Sequence, residues 1–346
     1  VWIMAYTTID DPTVYFNTVL YTGNYSTNAI TGVGFQPDLV WIKSRGTAGE
    51  NHYFFDAIRG ATNYIHSDTT AAQSSNAATL TTFGSDGFTV GANNSVNKSS
   101  DPLVSWNWKA NGAGASNEDG SINTIKTSAS TTSGFSIAQY TGTGSAATIG
   151  HGMGVAPTAI WIKKTSATEE WFCWNQGITA AGGFLKLNGT NVAGTNNTAF
   201  PWNPQATTFG LSGDAATNAD GVTYIAYCFA EKQGFSKMGS YLGNGNADGA
   251  FIYTGFKPAF VLIKNTAATE AWFLYDNKRG VNGAMKALFP DEAAAEGGAA
   301  DNIDLLSNGF KLRTAGAILN SAATFIYLAI AAEPLVTSTG IPATAR

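Results

Sequence analysis

A twelve-residue stretch occurs three times in this chain with its main positions in the same order. The copies are GFQPDLVWIKSR from Gly34, GVAPTAIWIKKT from Gly154 and GFKPAFVLIKNT from Gly255. After the proline, two β-branched residues alternate with a large apolar residue and a lysine. This period of two predicts a β-strand that is covered on both faces and reaches water at its lysine. The predicted strand-end lysines are Lys43, Lys163 and Lys264.

Other matches around each proline extend the similarity to about 100 residues. A Tyr-x-Gly element lies 16 or 17 residues upstream, and an aromatic run (HYFFD, WFCWN or WFLYD) follows downstream, which predicts a hairpin. A phenylalanine lies 51 or 52 residues after the proline, and each copy closes on an apolar run. Solenoid and propeller repeats have periods of roughly 20 to 50 residues, whereas about 100 residues make one two-sheet domain. The sequence therefore predicts an all-β fold of three tandem antiparallel β-sandwich repeats, jelly-roll or lectin-like.

The repeats also predict the domain boundaries. We expect an N-terminal segment at 1–14 and a C-terminal tail at 335–346. Between them lie three repeat units, called unit 1 (15–110), unit 2 (133–232) and unit 3 (233–334). The small polar residues of 111–132 predict a linker or an exposed hairpin.

Composition excludes several partner classes. Charged residues make up 12% of the chain, the formal net charge is −5, and there is no basic block. We therefore expect no binding to nucleic acid or to an anionic membrane. The apolar runs have the length of strands, far below the ~20 residues of a membrane span, so no membrane insertion is expected.

The residues needed for catalysis do not form a recognisable set. The chain has three histidines, and His52 aligns with Trp171 and Trp272, which indicates a packing position. The two cysteines, Cys173 and Cys228, are expected to be small buried residues in neighbouring strands, with a single disulfide as the alternative. Zinc spacing is absent, and a calcium ion in the acidic loop 211–221 remains an alternative. We predict no enzyme activity, cofactor or metal.

Two further patterns have both a structural and a functional interpretation. The sequence DAIRG at Asp56–Gly60 returns as DNKRG at Asp276–Gly280, which predicts a turn locked by an Asp and Arg pair, with an anion-binding arginine as the alternative. Most tryptophans recur at equivalent repeat positions, which favours packing in a core over contacts with sugars or proteins. Trp202, in the unmatched loop AFPWNPQ, is the exception.

Function is expected where the copies differ, and the differences concentrate in unit 2. His151 lies in the glycine-rich stretch TIGHGMG, which is typical of a flexible loop. Trp202 is expected to be exposed, and Asp214 and Asp220 lie in a polar loop. We predict that His151, Trp202, Asp214 and Asp220 contact a ligand or a partner.

The chain resembles a family of structural proteins of marine tailed bacteriophages, often described as tail-fibre or virion proteins. The resemblance rests on MAYTTIDDPTVYFNTVLYTGN, GFQPDLVWIKSR, FGSDGFTVG, SWNWKANG, YIAYCFAE, FSKMGSYLGNGNADGAFIYTGFKPAFVLIK, LSNGFKLR and VTSTGIPATAR, in that order. It implies a non-enzymatic component of the virion exterior, with other virion proteins as partners and a role in host attachment through a cell-surface glycan or receptor. It also implies a homo-oligomer. The alternatives are a capsid or tail decoration protein that binds only virion proteins, and a carbohydrate-binding or depolymerase module.

Overall fold

The structure is a computed structural model that describes residues 5–178, 182–195, 199–298 and 300–343. It is all-β, and its sheets are antiparallel. The helices in these ranges are a 3-10 helix at Pro12–Val14 and three helices of four residues each. A search of the described residues for a helix long and apolar enough to cross a membrane finds none.

The strands and short helices follow one another in each unit in a similar order. Unit 1 contains β1 (Phe16–Thr22), β2 (Asn28–Ile30), β3 (Leu39–Ser44), β4 (Tyr53–Asp56), β5 (Asn63–His66), β6 (Ser74–Ser75), β7 (Leu80–Gly84), β8 (Gly87–Val90), α1 (Asn94–Asn97) and β9 (Pro102–Trp108). Next come β10 (Lys126–Ser130), β11 (Phe135–Thr141), β12 (Ala147–Gly150), β13 (Ala159–Lys164), β14 (Phe172–Asn175), β15 (Thr208–Leu211), α2 (Ala215–Asn218) and β16 (Thr223–Phe229). Unit 3 contains β17 (Ser236–Leu242), β18 (Phe251–Tyr253), β19 (Phe256–Asn265), β20 (Phe273–Asp276), β21 (Ile303–Leu306), β22 (Gly309–Leu312), α3 (Ala317–Asn320) and β23 (Thr324–Pro334).

The strand order of the larger sheet recurs in each unit. It reads β1-β9-β3-β4 in unit 1, β11-β16-β13-β14 in unit 2 and β17-β23-β19-β20 in unit 3. A smaller sheet accompanies each one, with the orders β2-β8-β7, β12-β15 and β18-β22-β21. The repeated stretch forms the strands β3, β13 and β19, and each pairs with the aromatic strand that follows it, as the hairpin prediction required.

The Tyr-x-Gly element holds the turn after the first strand against the short helix. In unit 1 the hydroxyl of Tyr21 donates to the carbonyl of Val96 at 2.7 Å. The buried Asn97 accepts from the backbone N–H of Asn24 at 3.0 Å, and a Cβ on Gly23 would overlap the backbone after that helix. The same bonds recur for Tyr140 with Asn218 and for Tyr241 with Asn320. The element is therefore structural, because it satisfies buried backbone groups at the helix.

Alternate residues of the repeated strand pack into two different cores. In β3, Val40 and Ile42 join the core between the two sheets of unit 1. Trp41, which points the other way, joins a second core that the larger sheets of all three units share. The rings of Trp41 and Trp161 are 6.3 Å apart, and those of Trp41 and Phe260 are 6.4 Å apart. This shared core explains why both faces of the strand are apolar.

The units contact one another in a cyclic order, and two of the three contacts lie at equivalent positions. Trp171 of unit 2 donates its indole N–H to the carbonyl of His66 in unit 1 at 2.7 Å. Trp272 of unit 3 donates in the same way to the carbonyl of Lys186 in unit 2 at 2.8 Å. Unit 1 completes the cycle through Ser67, whose hydroxyl donates to a unit 3 carbonyl at 2.6 Å. The three units therefore form one body.

The repeated lysines are buried, so the prediction that they reach water was wrong. Lys43, Lys163 and Lys264 have no exposed surface. Their ammonium groups donate to backbone carbonyls of polar loops; Lys163 reaches Thr70 of unit 1, and Lys264 reaches Thr190 of unit 2, both at 3.2 Å. Desolvation lowers the pKa of each lysine to about 8. The sequence periodicity located these side chains correctly but carried no signal for the loop that covers them.

Three other sequence expectations need correction or refinement. The segment 111–132 was expected to be a linker or an exposed hairpin, and its part β10 is a strand that pairs with β11 along the edge of the unit 2 sheet. Cys173 and Cys228 are buried and form no disulfide, as the preferred prediction stated. Their strands β14 and β16 are not neighbours, however, because β13 lies between them. The N-terminal segment packs on unit 3, where the hydroxyl of Thr7 donates to the carbonyl of Gln233 at 2.8 Å. The two terminal segments also contact each other, because the backbone N–H of Ser338 donates to the carboxylate of Asp10.

Candidate functional site

The four candidate residues lie at two ends of the small β12-β15 sheet. His151 follows β12 directly, and Trp202 belongs to the loop that leads into β15. Asp214 and Asp220 lie beyond the other end of β15, around helix α2. The structure thus brings His151 and Trp202 to one end of the sheet and places the two aspartates at the other.

The aspartates belong to the structural turn found in every unit. Asp214 is the N-cap of α2 and accepts from the backbone N–H of Ala216 at 2.8 Å. Asn93 caps α1 in the same way, so the position serves the helix in at least two units. Asp220 is exposed after the helix. Within the described ranges, no cluster of three or more His, Cys, Asp or Glu side chains could hold a metal ion.

His151 is fully buried, in contrast to the flexible loop position expected from its glycine-rich surroundings. Its Nε2 lies 3.1 Å from the carbonyl oxygen of Gln205, and its Nδ1 is 3.3 Å from the backbone N–H of Met153. These two partners require a neutral ring with the proton on Nε2. Burial lowers the pKa of His151, which favours this neutral form. His151 therefore anchors the loop that carries Trp202, and its side chain has no exposed surface.

Trp202 is exposed, as predicted, with 50% of its surface accessible. Its ring lies directly over Gly210 of β15, where any Cβ would overlap the indole. The loop around it is held by Gln205, whose backbone N–H donates to the carbonyl of Thr208 at 2.7 Å. An exposed indole therefore packs on a glycine, in space that any larger residue at position 210 would occupy.

Trp202 borders a cavity of about 900 Å³ at the end of the larger sheet of unit 2. The described residues that line it are Ala156, Pro157, Thr158, Trp174, Gln176, Ile178, Gly182, Phe200, Pro201, Trp202, Asn203, Pro204 and Gln205. Sequence reasoning singled out Trp202 but missed Trp174 and the carboxamides. The sequence carried no signal for Trp174, because it aligns with the buried Phe55 and Tyr275, and only the structure shows that it is half-buried.

Unit 3 has a cavity at the equivalent place, with a different lining. It measures about 430 Å³ and contains Lys257, Asn277, Val281 and Met285, with no tryptophan among its described lining residues. The loop that carries Trp202 and the side chain of Trp174 on β14 together account for the aromatic lining in unit 2. The larger, aromatic cavity is therefore a feature of unit 2.

The Asp and Arg pairs lock turns inside the shared core, as the structural interpretation predicted. Arg59 contacts Asp56 at 2.6 Å with both side chains fully buried, and Asp276 with Arg279 repeats this geometry. The next unit in the cycle supplies a donor to each carboxylate, the hydroxyl of Tyr227 for Asp56 at 2.7 Å and the indole of Trp106 for Asp276 at 2.9 Å. These guanidinium groups have no exposed surface for a free anion.

The equivalent turn of unit 2 has no Asp and Arg pair. Unit 2 has Asn175 and Ile178 at the Asp and Arg positions, and Leu328 replaces the donor that Tyr227 and Trp106 provide. The Asp and Arg are therefore present in the two units where a neighbouring unit supplies a hydrogen-bond donor. Where that donor is missing, a buried carboxylate would lose a partner.

The other groups with catalytic potential are also packed. His52 is fully buried and accepts from the indole of Trp41 at 2.9 Å, which agrees with its predicted packing role. His66 is half-buried, and its carbonyl is the acceptor for Trp171. Burial raises the pKa of both Cys173 and Cys228, so their thiols stay protonated at neutral pH.

Comparison with family models places the chain in a family. A search of curated proteins finds no match. A family model described as a domain of unknown function, DUF7483, matches residues 11–334 and so spans all three units. The chain therefore belongs to the DUF7483 family.

Proposed function

We propose that the chain is a non-enzymatic structural protein of a bacteriophage virion, a tail-fibre or other surface appendage component involved in host attachment. Its partners in this role are other virion proteins and a host cell-surface glycan or receptor. It acts at the virion exterior, as part of a tail or on the capsid, and needs no cofactor. The phage resemblance of the sequence is the starting point of this proposal.

We also propose that each unit is an antiparallel β-sandwich of the jelly-roll or lectin-like kind. The larger and smaller sheets of a unit enclose a core of their own, for example around Phe209 in unit 2 and Phe310 in unit 3. Two sheets around one apolar layer are the defining feature of a sandwich. The three units would then be tandem sandwiches that share one additional core.

A structural and binding role is supported by the hydrogen bonds and ion pairs that the recurring polar groups form inside the protein. The buried lysines, asparagines and Asp and Arg pairs are engaged in bonds within the unit or between neighbouring units. Such groups stabilise a rigid body. The exposed, unit-specific feature is the Trp202 cavity, which suits recognition of a ligand at a surface.

Labelling and cell binding test this proposal together. Antibody against the purified chain, imaged by electron microscopy on phage particles, should mark the tail or the outer capsid. The fluorescently labelled chain should bind host cells and be displaced by unlabelled protein. Labelling of particles without binding to cells would instead support the decoration protein. Shortened chains after incubation with host polysaccharide would support the depolymerase and refute the non-enzymatic role.

The proposed role also predicts a homo-oligomer, since several copies convert weak contacts into firm attachment. Light scattering coupled to size-exclusion chromatography measures the mass directly. A mass of 36.1 kDa at all concentrations would contradict this prediction.

A further inference from the structure

We propose that the Trp202 cavity of unit 2 binds a neutral saccharide of a few sugar units. The site consists of the end of β14, the turn before β13 and the loop 200–205. Its volume of about 900 Å³ lies in the range of roughly 300 to 1,000 Å³ that is usual for ligand sites. The inference rests on the attachment role proposed above and assigns a class of ligand to it.

The indole of Trp202 supplies an aromatic platform. It is held over Gly210, yet half of its surface is in water. Trp174, half-buried at the end of β14, adds a second aromatic ring to the lining. The C–H faces of a sugar ring can cover such rings, which removes apolar surface from water at a small cost in side-chain entropy.

Carboxamide groups surround the platform. Gln176 donates its Nε2 to the carbonyl of Met238 at 2.6 Å and to Glu231 at 2.7 Å, and no described residue donates to its Oε1. The carboxamide of Asn203 makes no hydrogen bond to another described residue, and Gln205 uses one of its N–H groups on the Asn203 carbonyl at 2.9 Å. A carboxamide both donates and accepts, so it matches a hydroxyl group, which does the same.

The lining selects a neutral ligand. None of the described residues that line the cavity has an ionisable side chain. The carboxylate of Glu231 accepts from the carboxamide of Gln176 at 2.7 Å, so an acidic group lies directly behind the lining. A uronate, sulfate or phosphate group would be desolvated here without a cation and close to a like charge, which is unfavourable.

His151 is a positioning residue for this site. Its ring and its backbone N–H hold the loop at Gln205 and Thr207, each at 3.1 Å. The loop in turn places Trp202 on Gly210. Because His151 is fully buried, its effect on a ligand acts through this loop.

The test uses the full-length chain and defined oligosaccharides. Cello-, laminari-, manno- and xylopentaose are the neutral probes, and oligomers of alginate and sulfated carrageenan are the acidic ones. Calorimetry and tryptophan fluorescence should detect binding of at least one neutral probe and a change in Trp202 emission. Trp202→Ala should weaken that binding at least tenfold, whereas Trp202→Phe should retain part of it. Val281→Ala, at the exposed residue of the unit 3 cavity, is the matched control and should change nothing.

Three results would overturn the proposal. These are the absence of binding by every neutral probe at millimolar concentration, binding of acidic probes alone, and binding that Trp202→Ala leaves intact while circular dichroism shows a native fold. Cell-binding assays distinguish failure of the saccharide site from failure of the proposed attachment role. Host cells bound equally by the Trp202→Ala chain would refute the cavity alone, and a Trp202-dependent sugar affinity without cell or particle binding would refute attachment alone.

Discussion

Replacement of Arg59 by isoleucine tests how the units are held together. Arg59→Ile copies unit 2, where Ile178 is the natural residue. The variant leaves Asp56 in the shared core with two donors, the backbone N–H of residue 59 and the hydroxyl of Tyr227, at 2.8 and 2.7 Å. It removes the guanidinium and with it the neutralising charge at 2.6 Å.

The expected loss of stability follows from the burial of both side chains, whose exposure is 0%. Removal of one partner of a buried pair typically costs about 3–5 kcal/mol, because a charge remains without compensation. At about 2.1 cal/mol/K per residue, this corresponds to a fall in Tm of roughly 4–7 °C for a chain of this length. The double variant Asp56→Asn with Arg59→Ile reproduces the neutral Asn175 and Ile178, so it should lose only about 1–2 kcal/mol.

Urea unfolding followed by tryptophan fluorescence and circular dichroism measures both variants. The single variant should also recover part of its stability at pH 5, since an unpaired buried carboxylate has a raised pKa and is stabilised by protonation. A single variant within 1 kcal/mol of the wild type, or a double variant as unstable as the single one, would refute the reasoning.

The other predictions concern the buried lysines, the turn glycine and the anchoring histidine. Because the pKa values of Lys43, Lys163 and Lys264 fall to about 8 in the folded chain, the unfolded chain binds more protons between about pH 8 and 10. The free energy of unfolding should rise by about 1–2 kcal/mol per lysine from pH 7.5 to 9.5, and urea midpoints that stay flat would contradict this. Gly142→Ala should lower the free energy of unfolding by about 2 kcal/mol or more, because its Cβ would overlap a backbone carbonyl. Gly154→Ala is the comparison, because the space around Gly154 is open and only the strain at its positive φ should destabilise the variant. His151→Ala should increase acrylamide quenching of Trp202, and unchanged quenching would show that the loop does not depend on this ring.

The internal pattern of each unit could be predicted from sequence, because local periodicity and spacing encode it. The proline, the alternating strand and the aromatic strand after it predicted the hairpins, and Trp41 was correctly placed in a core. The weakly patterned strand β10 escaped detection, since its residues Lys126–Ser130 are small or polar and show no apolar alternation. Edge strands of this kind resemble linkers in composition.

Contacts between units could not be predicted, because no single repeat contains them. Lys43 was expected to reach water at the end of its strand, because its sequence neighbours carry no information about the loops that cover it. His151 looked mobile among glycines, yet the carbonyl of Gln205, 54 residues away, determines its burial. Trp202 could be identified because its loop has no counterpart in the other two units, so the packing that the repeats have in common does not explain it.

The cyclic contacts resemble those of a homotrimer whose three subunits have been fused into a single polypeptide. In a trimer of identical chains, a substitution alters three sites at once, and a loop that suits one site must fit all three. A fused chain has no such restriction, so Leu328 can differ from Tyr227 and Trp106 at one interface alone, where unit 2 has Asn175 and Ile178. The same freedom allows one subunit-sized unit to diverge around Trp202 while the other two keep the assembly rigid.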